Sequence, residues 1–123
     1  RQWGIALDAN HPKAMVITDV YHMYISEGGF ECIKLIKGEA FAIFQFNDVP
    51  VSPALAQLED KHRVYPGDGI LPLTSILQDL KGTGFKGCVS LEMYNAEYWK
   101  QYLQTVAETG LRKTLEVIRK AGV

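Results

Sequence analysis

Gly84-Phe85-Lys86-Gly87-Cys88-Val89-Ser90-Leu91-Glu92-Met93-Tyr94 reads as a glycine-bounded turn, a short apolar strand and a carboxylate in quick succession. Cys88 to Met93 is predicted to be a buried strand, and the helical pattern that follows runs from Ala96 to about Lys120. A buried carboxylate is costly unless it is paired or bound to a metal. Glu92 is therefore either a functional group at a strand end or an expensive structural one.

Two more strands precede it. Ala40 to Phe46 (AFAIFQF) is almost wholly apolar, which predicts a central strand covered on both faces, with Gln45, Asn47 and Asp48 at its end. Ala14 to Thr18 is a shorter β-prone run, also predicted to be buried on both faces. It leads into Asp19, and His22 lies three residues on.

Helical patterns separate the strands. Arg1 to Asn10 looks like the tail of a helix, stopped by His11-Pro12 because a residue before proline is driven out of the α region. Ser26-Glu27-Gly28-Gly29 reads as a turn, and Gly29 to Lys37 as a short helix halted by Gly38. Leu73 to Lys81 forms a helix with Ile76, Leu77 and Leu80 on one face. In the last helix Trp99, Leu103, Val106, Leu111, Leu115 and Ile118 define the apolar stripe, and Gly110 marks a bend or a division. Val49 to Leu71 is an irregular connection of roughly twenty residues, a length commonly associated with function; Ala54 to Glu59 within it suits one or two helical turns.

Alternating strands and helices imply a parallel sheet with right-handed crossovers. Three strands leave two apolar edges, at residues 14–18 and 88–93, so self-association through these edges or a longer α/β unit is expected. The chain also starts at Arg1 rather than at a methionine, which fits an excerpt from something longer.

Composition narrows the function classes. The 123 residues are 47% hydrophobic and 22% charged, with a formal net charge of −1. Near-neutral charge gives no electrostatic basis for a nucleic-acid partner or an anionic membrane surface. No apolar run approaches the ~20 residues that span a bilayer, and the first residues do not form a signal peptide. Cys32 and Cys88 form neither a disulfide framework nor a close-spaced metal motif and are read as apolar filler, with the cytoplasm as the default compartment.

The groups able to do chemistry gather at strand ends. In a β/α barrel, working side chains lie at the C-terminal ends of the strands. Asp19, Gln45 and Glu92 hold that position on three successive strands. Two carboxylates and an amide at one mouth would suit Mg2+ or Mn2+, which favour oxygen ligands. Asp19 equally fits a helix cap, His22 a structural histidine, Gln45 a strand-end cap and Arg63 a solvated loop charge. No Gly-x-Ser-x-Gly elbow, Cys-x-x-Cys pair, His-Glu-x-x-His helix or dinucleotide glycine run is present, and Ser90 lies inside a strand rather than at a nucleophile turn.

Three segments resemble the xylose-isomerase-like barrels of the sugar phosphate isomerase/epimerase superfamily. Asp19-Val20-Tyr21-His22-Met23-Tyr24 is similar to the family's Asp-x-x-His segment after the sixth strand. His62-Arg63-Val64-Tyr65-Pro66-Gly67-Asp68-Gly69 is similar to its Arg-x-x-Pro-Gly-x-Gly loop, and Gly84 to Glu92 to its Gly-Tyr-x-Gly-x-x-x-x-Glu eighth strand. The resemblance implies an α/β fold of a particular kind: a partial (β/α)8 TIM barrel, about the last three βα units, with a parallel three-stranded sheet. Residues 1–123 would then be the C-terminal portion of such a barrel, whose complete form needs about 250 residues.

The resemblance also implies a site. Asp19, Gln45 and Glu92 would be metal ligands, with Glu92, His22 and Arg63 as the catalytic set. The metal would be Mn2+ or Mg2+ first, with Co2+ or Zn2+ also in the family's range. Where the family usually has histidine on the seventh strand this sequence has Gln45, a neutral oxygen donor, and the fifth-strand glutamate is absent. The implied reaction is isomerisation or epimerisation of a small polyhydroxylated sugar or sugar phosphate by proton transfer through an enediolate. A metal-dependent dehydratase of an inosose or dehydroshikimate-type substrate, and a non-catalytic α/β scaffold or binding module, are the alternatives. With one base carboxylate missing, the isolated chain is expected to be inactive.

Overall fold

The computed structural model describes residues 2–26 and 28–123. Arg1 of the expected first helix and Glu27 of the expected turn lie outside the described residues. The elements are helix α1 (Gln2–Asp8), strand β1 (Val16–Asp19), helix α2 (Val20–Ile25), strand β2 (Phe41–Phe46), helix α3 (Leu73–Gly82), strand β3 (Cys88–Leu91), helix α4 (Ala96–Trp99) and helix α5 (Leu103–Ala121). Single 3-10 turns fill Glu31–Leu35, Gly38–Ala40, Leu55–Gln57 and Asp60–His62.

The three strands form a parallel sheet in the order β1-β2-β3, with β2 in the centre as its apolar sequence predicts. The register sets Asp19 opposite Gln45 and Gln45 opposite Ser90. The ladder continues past β3 through the Glu92 amide, which donates to the Phe46 carbonyl at 3.2 Å. Gly38 starts β2 against the entry to β3: its amide donates to the Thr83 carbonyl at 3.0 Å, and a Cβ there would collide with the Gly84-Phe85 backbone.

One face of the sheet carries the core. Phe44 and Phe46 are buried with Ile76, Leu77 and Leu80 of α3 and Val117 and Ala121 of α5. The opposite face is open, which corrects the expectation of strands covered on both sides. Ile17 of β1 is 51% exposed, and Cys88, in the same cross-strand row through Ile43, is exposed as well. Side chains alternate between faces along a strand, so these residues share a face that, among the described residues, no helix covers. Both cysteines are exposed rather than filling the core.

Several helices differ from expectation. The predicted helix over 29–37 is a single 3-10 helix at Glu31–Leu35: no side chain caps it at Phe30, and only short i→i+3 bonding forms. The last helical segment divides at Lys100–Tyr102, not at Gly110. Gly110 is buried inside α5 because a Cβ would meet the Leu91 side chain, so the glycine lets the helix approach the end of β3. The packed face of α5 is Gly110, Thr114, Val117 and Ala121, at helical spacing. Most of the expected stripe points outward: Leu103 is 78% exposed and Leu111 62%, beside exposed Trp99 and Leu115. Among the described residues, no helix is long and apolar enough to cross a membrane.

Candidate functional site at the strand ends

Asp19 closes β1 and opens α2, the short helix that the sequence did not announce. Its Oδ1 accepts from the Tyr21 amide at 2.8 Å, so it caps α2, while Oδ2 faces the site. The cap reading of Asp19 holds, and an N-cap leaves its second oxygen free for another donor.

Gln45 and Glu92 meet because the register brings their strands together on the open face. Gln45 Nε2 donates to Glu92 Oε1 at 2.7 Å. Asn47, two residues beyond Gln45 and so on the same face, donates from Nδ2 to Asp19 Oδ1 at 3.1 Å. Glu92 lies just past β3 with its side chain 28% exposed, which corrects its reading as a group buried within the strand.

The centre of the arrangement is Arg63. Far from a solvated loop charge, its side chain is 1% exposed. Nη1 donates to Asp19 Oδ2 at 2.7 Å and to Glu92 Oε2 at 2.8 Å. Nη2 pairs with Asp60 and lies 3.3 Å from His22 Nε2. The guanidinium carbon stands 4.6 Å from the Tyr21 ring centroid and 5.1 Å from that of Tyr94. Burial pulls the Arg63 pKa down, but Asp19, Asp60 and Glu92 outweigh it and the net direction is up.

The long loop reaches this position through Asp48. Its buried carboxylate accepts four backbone amides: Val49 and Leu71 at Oδ1, Gly67 and Gly69 at Oδ2, all at 2.8–3.0 Å. Gly69 approaches so closely that a Cβ would strike Asp48 itself. Asp48 also pairs through its backbone with Val64, the neighbour of Arg63, and Asn95 Nδ2 holds the Arg63 carbonyl at 3.0 Å. Desolvation pushes the Asp48 carboxyl above its ordinary value, against the lowering effect of its four N–H donors.

All five residues singled out in the sequence, Asp19, His22, Gln45, Arg63 and Glu92, converge here. Sequence reasoning passed over Asp60, Tyr21 and Tyr94, and gave Asn47 no role. Asp60 had a usable signal: it opens a 3-10 turn, where side chains three apart eclipse, and Arg63 follows at that spacing.

The donor set fits a hard cation in part. Arg63 Nη1 shows that one positive centre can contact an oxygen of Asp19 and of Glu92 together. Gln45 would add its amide oxygen after turning its nitrogen away from Glu92. Among the described residues no group of three His, Cys, Asp or Glu side chains is placed to hold a metal ion, so the oxygens present are an incomplete ligand set.

The family model described as xylose isomerase-like TIM barrel matches residues 3–121. The chain belongs to this family. Among relatives of this xylose isomerase-like chain, an inosose isomerase of Bacillus licheniformis is 29% identical over 118 residues, spanning 96% of the chain and 42% of the relative. A 3-dehydroshikimate dehydratase of Pseudomonas putida is 31% identical over 92% of the chain and 18% of that protein. A solved IOLI protein with a binding zinc atom superimposes with a TM-score of 0.88 at 28% identity, covering 96% of this chain and 42% of that one. The chain therefore spans well under half the length of these barrels, and its three parallel strands are a partial barrel.

Proposed function

We propose that residues 1–123 are the C-terminal portion of a metal-dependent sugar isomerase or epimerase barrel, with Asp19, Gln45 and Glu92 as metal ligands and Glu92, His22 and Arg63 as catalytic residues. The observation that carries this reading is the shared contact of Arg63 Nη1 with Asp19 and Glu92, which brings the ends of β1 and β3 to one point on the open face. The family membership and the inosose isomerase relatives support the reaction class.

A bound divalent cation would polarise a substrate carbonyl and acidify the adjacent C–H. Glu92 takes that proton on Oε2 once Arg63 turns from it toward substrate. Arg63 and His22 then face the substrate oxygens and stabilise the negative charge that develops on them. Return of the proton to the neighbouring carbon gives isomerisation; return to the same carbon on its other face gives epimerisation. Loss of a hydroxyl after the same proton abstraction gives dehydration, the reading favoured by the 3-dehydroshikimate dehydratase relative.

The remaining strands of the barrel supply the rest of the cavity in this reading, so residues 1–123 alone bind metal weakly and turn over no substrate. The test is solvent deuterium exchange into inosose, followed by NMR, in the full-length protein. Glu92→Gln is expected to slow exchange by about 100-fold or more. Wild-type exchange rates in that variant would remove Glu92 as the base, and no exchange in the unaltered full-length protein would favour a non-catalytic scaffold.

A further inference from the structure

Asn47 stands two residues beyond Gln45 on the chain leaving β2, level with Glu92, and its side chain is fully buried. Its NH2 group has an acceptor for each hydrogen: Asp19 Oδ1 at 3.1 Å and the Glu92 carbonyl at 3.4 Å. Reversing the amide would set its oxygen against a carboxylate and a carbonyl, so these partners fix its orientation. The same orientation leaves Oδ1 buried with no hydrogen-bond partner among the described residues. A buried acceptor without a donor is destabilising, and an apolar side chain of similar volume would carry no such penalty.

The amide joins the two outer strands across β2. Asp19 Oδ1 accepts from the Tyr21 amide at 2.8 Å and from Asn47, which fixes the carboxylate from two elements and turns Oδ2 to the site. Glu92, already past β3, is tied to the β2 chain twice: its amide donates to the Phe46 carbonyl at 3.2 Å, and its carbonyl accepts from Asn47. Arg63 also links Asp19 to Glu92, but through Oδ2 and Oε2, the oxygens that the chemistry would use. Asn47 holds only Oδ1 and a backbone carbonyl, so its link persists when Arg63 turns away.

We infer that Asn47 is a positioning residue that sets the separation and aim of Asp19 and Glu92 while leaving their working oxygens free, an inference that rests on the roles proposed for those two residues above. Asn47 acts through them and is itself neither ligand nor base. Groups that hydrogen-bond to metal-ligating carboxylates commonly change metal affinity by about 10–100-fold when they are removed.

The test uses the full-length protein, with Mn2+ affinity read by calorimetry beside the urea midpoint. Asn47→Leu is expected to weaken Mn2+ binding by about tenfold or more while moving the midpoint by less than about 0.5 M, since loss of the donor is offset by loss of the unpartnered acceptor. Unchanged Mn2+ affinity in that variant overturns the inference and leaves the metal site standing. A loss of affinity that comes with a collapse of the midpoint also overturns it, because packing alone then accounts for both. Should Asn47→Leu not fold, NMR of the unaltered protein decides: the Asn47 side-chain NH2 signals are expected to shift as Mg2+ binds, and signals that stay fixed overturn the inference. Failure of the unaltered protein to bind either Mn2+ or Mg2+ overturns the proposed metal site itself, and the role of Asn47 with it.

Discussion

Arg63 donates to Asp19 across 2.7 Å with both side chains almost wholly withdrawn from solvent, at 1% and 3% exposure. The pair ties a loop residue to the last residue of β1, so the long connection after β2 is anchored at the strand ends rather than trailing over the surface.

Arg63→Leu removes that tie and leaves the buried Asp19 charge without its cation. Such a break is expected to destabilise the protein by about 3–5 kcal/mol, read as a lower urea midpoint with an unchanged slope. Arg63→Lys restores the charge but not the fork that reaches Asp19, Glu92 and Asp60 together, so it recovers only part of the loss.

Asp48 organises the same loop from within. Asp48→Asn keeps one acceptor oxygen and turns an NH2 group toward two amides that lose their partner. The expected cost is about 2–4 kcal/mol, and hydrogen exchange at Gly67 and Gly69, or at Val49 and Leu71, should accelerate more than exchange in β2. Uniform protection across the loop and β2 would contradict this role for Asp48.

Tyr65 and Tyr98 stack at 4.2 Å between ring centroids with 12° between planes, and burial raises both phenols above their ordinary value of 10.0. Their native state holds its protons longer than the unfolded chain does. The resulting stabilisation is complete below pH 10 and is lost as pH rises through the native values. Absorbance at 295 nm should show a late-ionising set of tyrosines in the folded protein, and Tyr98→Phe should reduce its amplitude.

Gln45 offers the most direct probe of the proposed metal site. Gln45→His replaces a neutral oxygen by an imidazole, so zinc affinity in the full-length protein is expected to rise by about tenfold or more while Mg2+ and Mn2+ gain nothing. Competitive metal titration checks this. An unchanged zinc affinity would remove Gln45 from the ligand set.

Much of this protein was legible in its sequence because the signals were local or periodic. Apolar runs marked β1, β2 and β3, their alternation with helices implied the parallel order, and strand-end positions singled out Asp19, Gln45 and Glu92. Tertiary structure alone decided which faces are covered. The leucines of α5 form a convincing stripe in sequence, yet the helix packs through Gly110, Thr114, Val117 and Ala121, because the close approach to Leu91 and Tyr65 admits only small groups at Gly110. Likewise, no local pattern could show that Arg63 is buried: its charge is tolerable only because Asp19, Glu92 and Asp60, far apart in the chain or on the next turn, converge on it. Periodicity records which residues prefer to leave water, whereas the burial of a charge depends on partners that only the folded chain brings within reach.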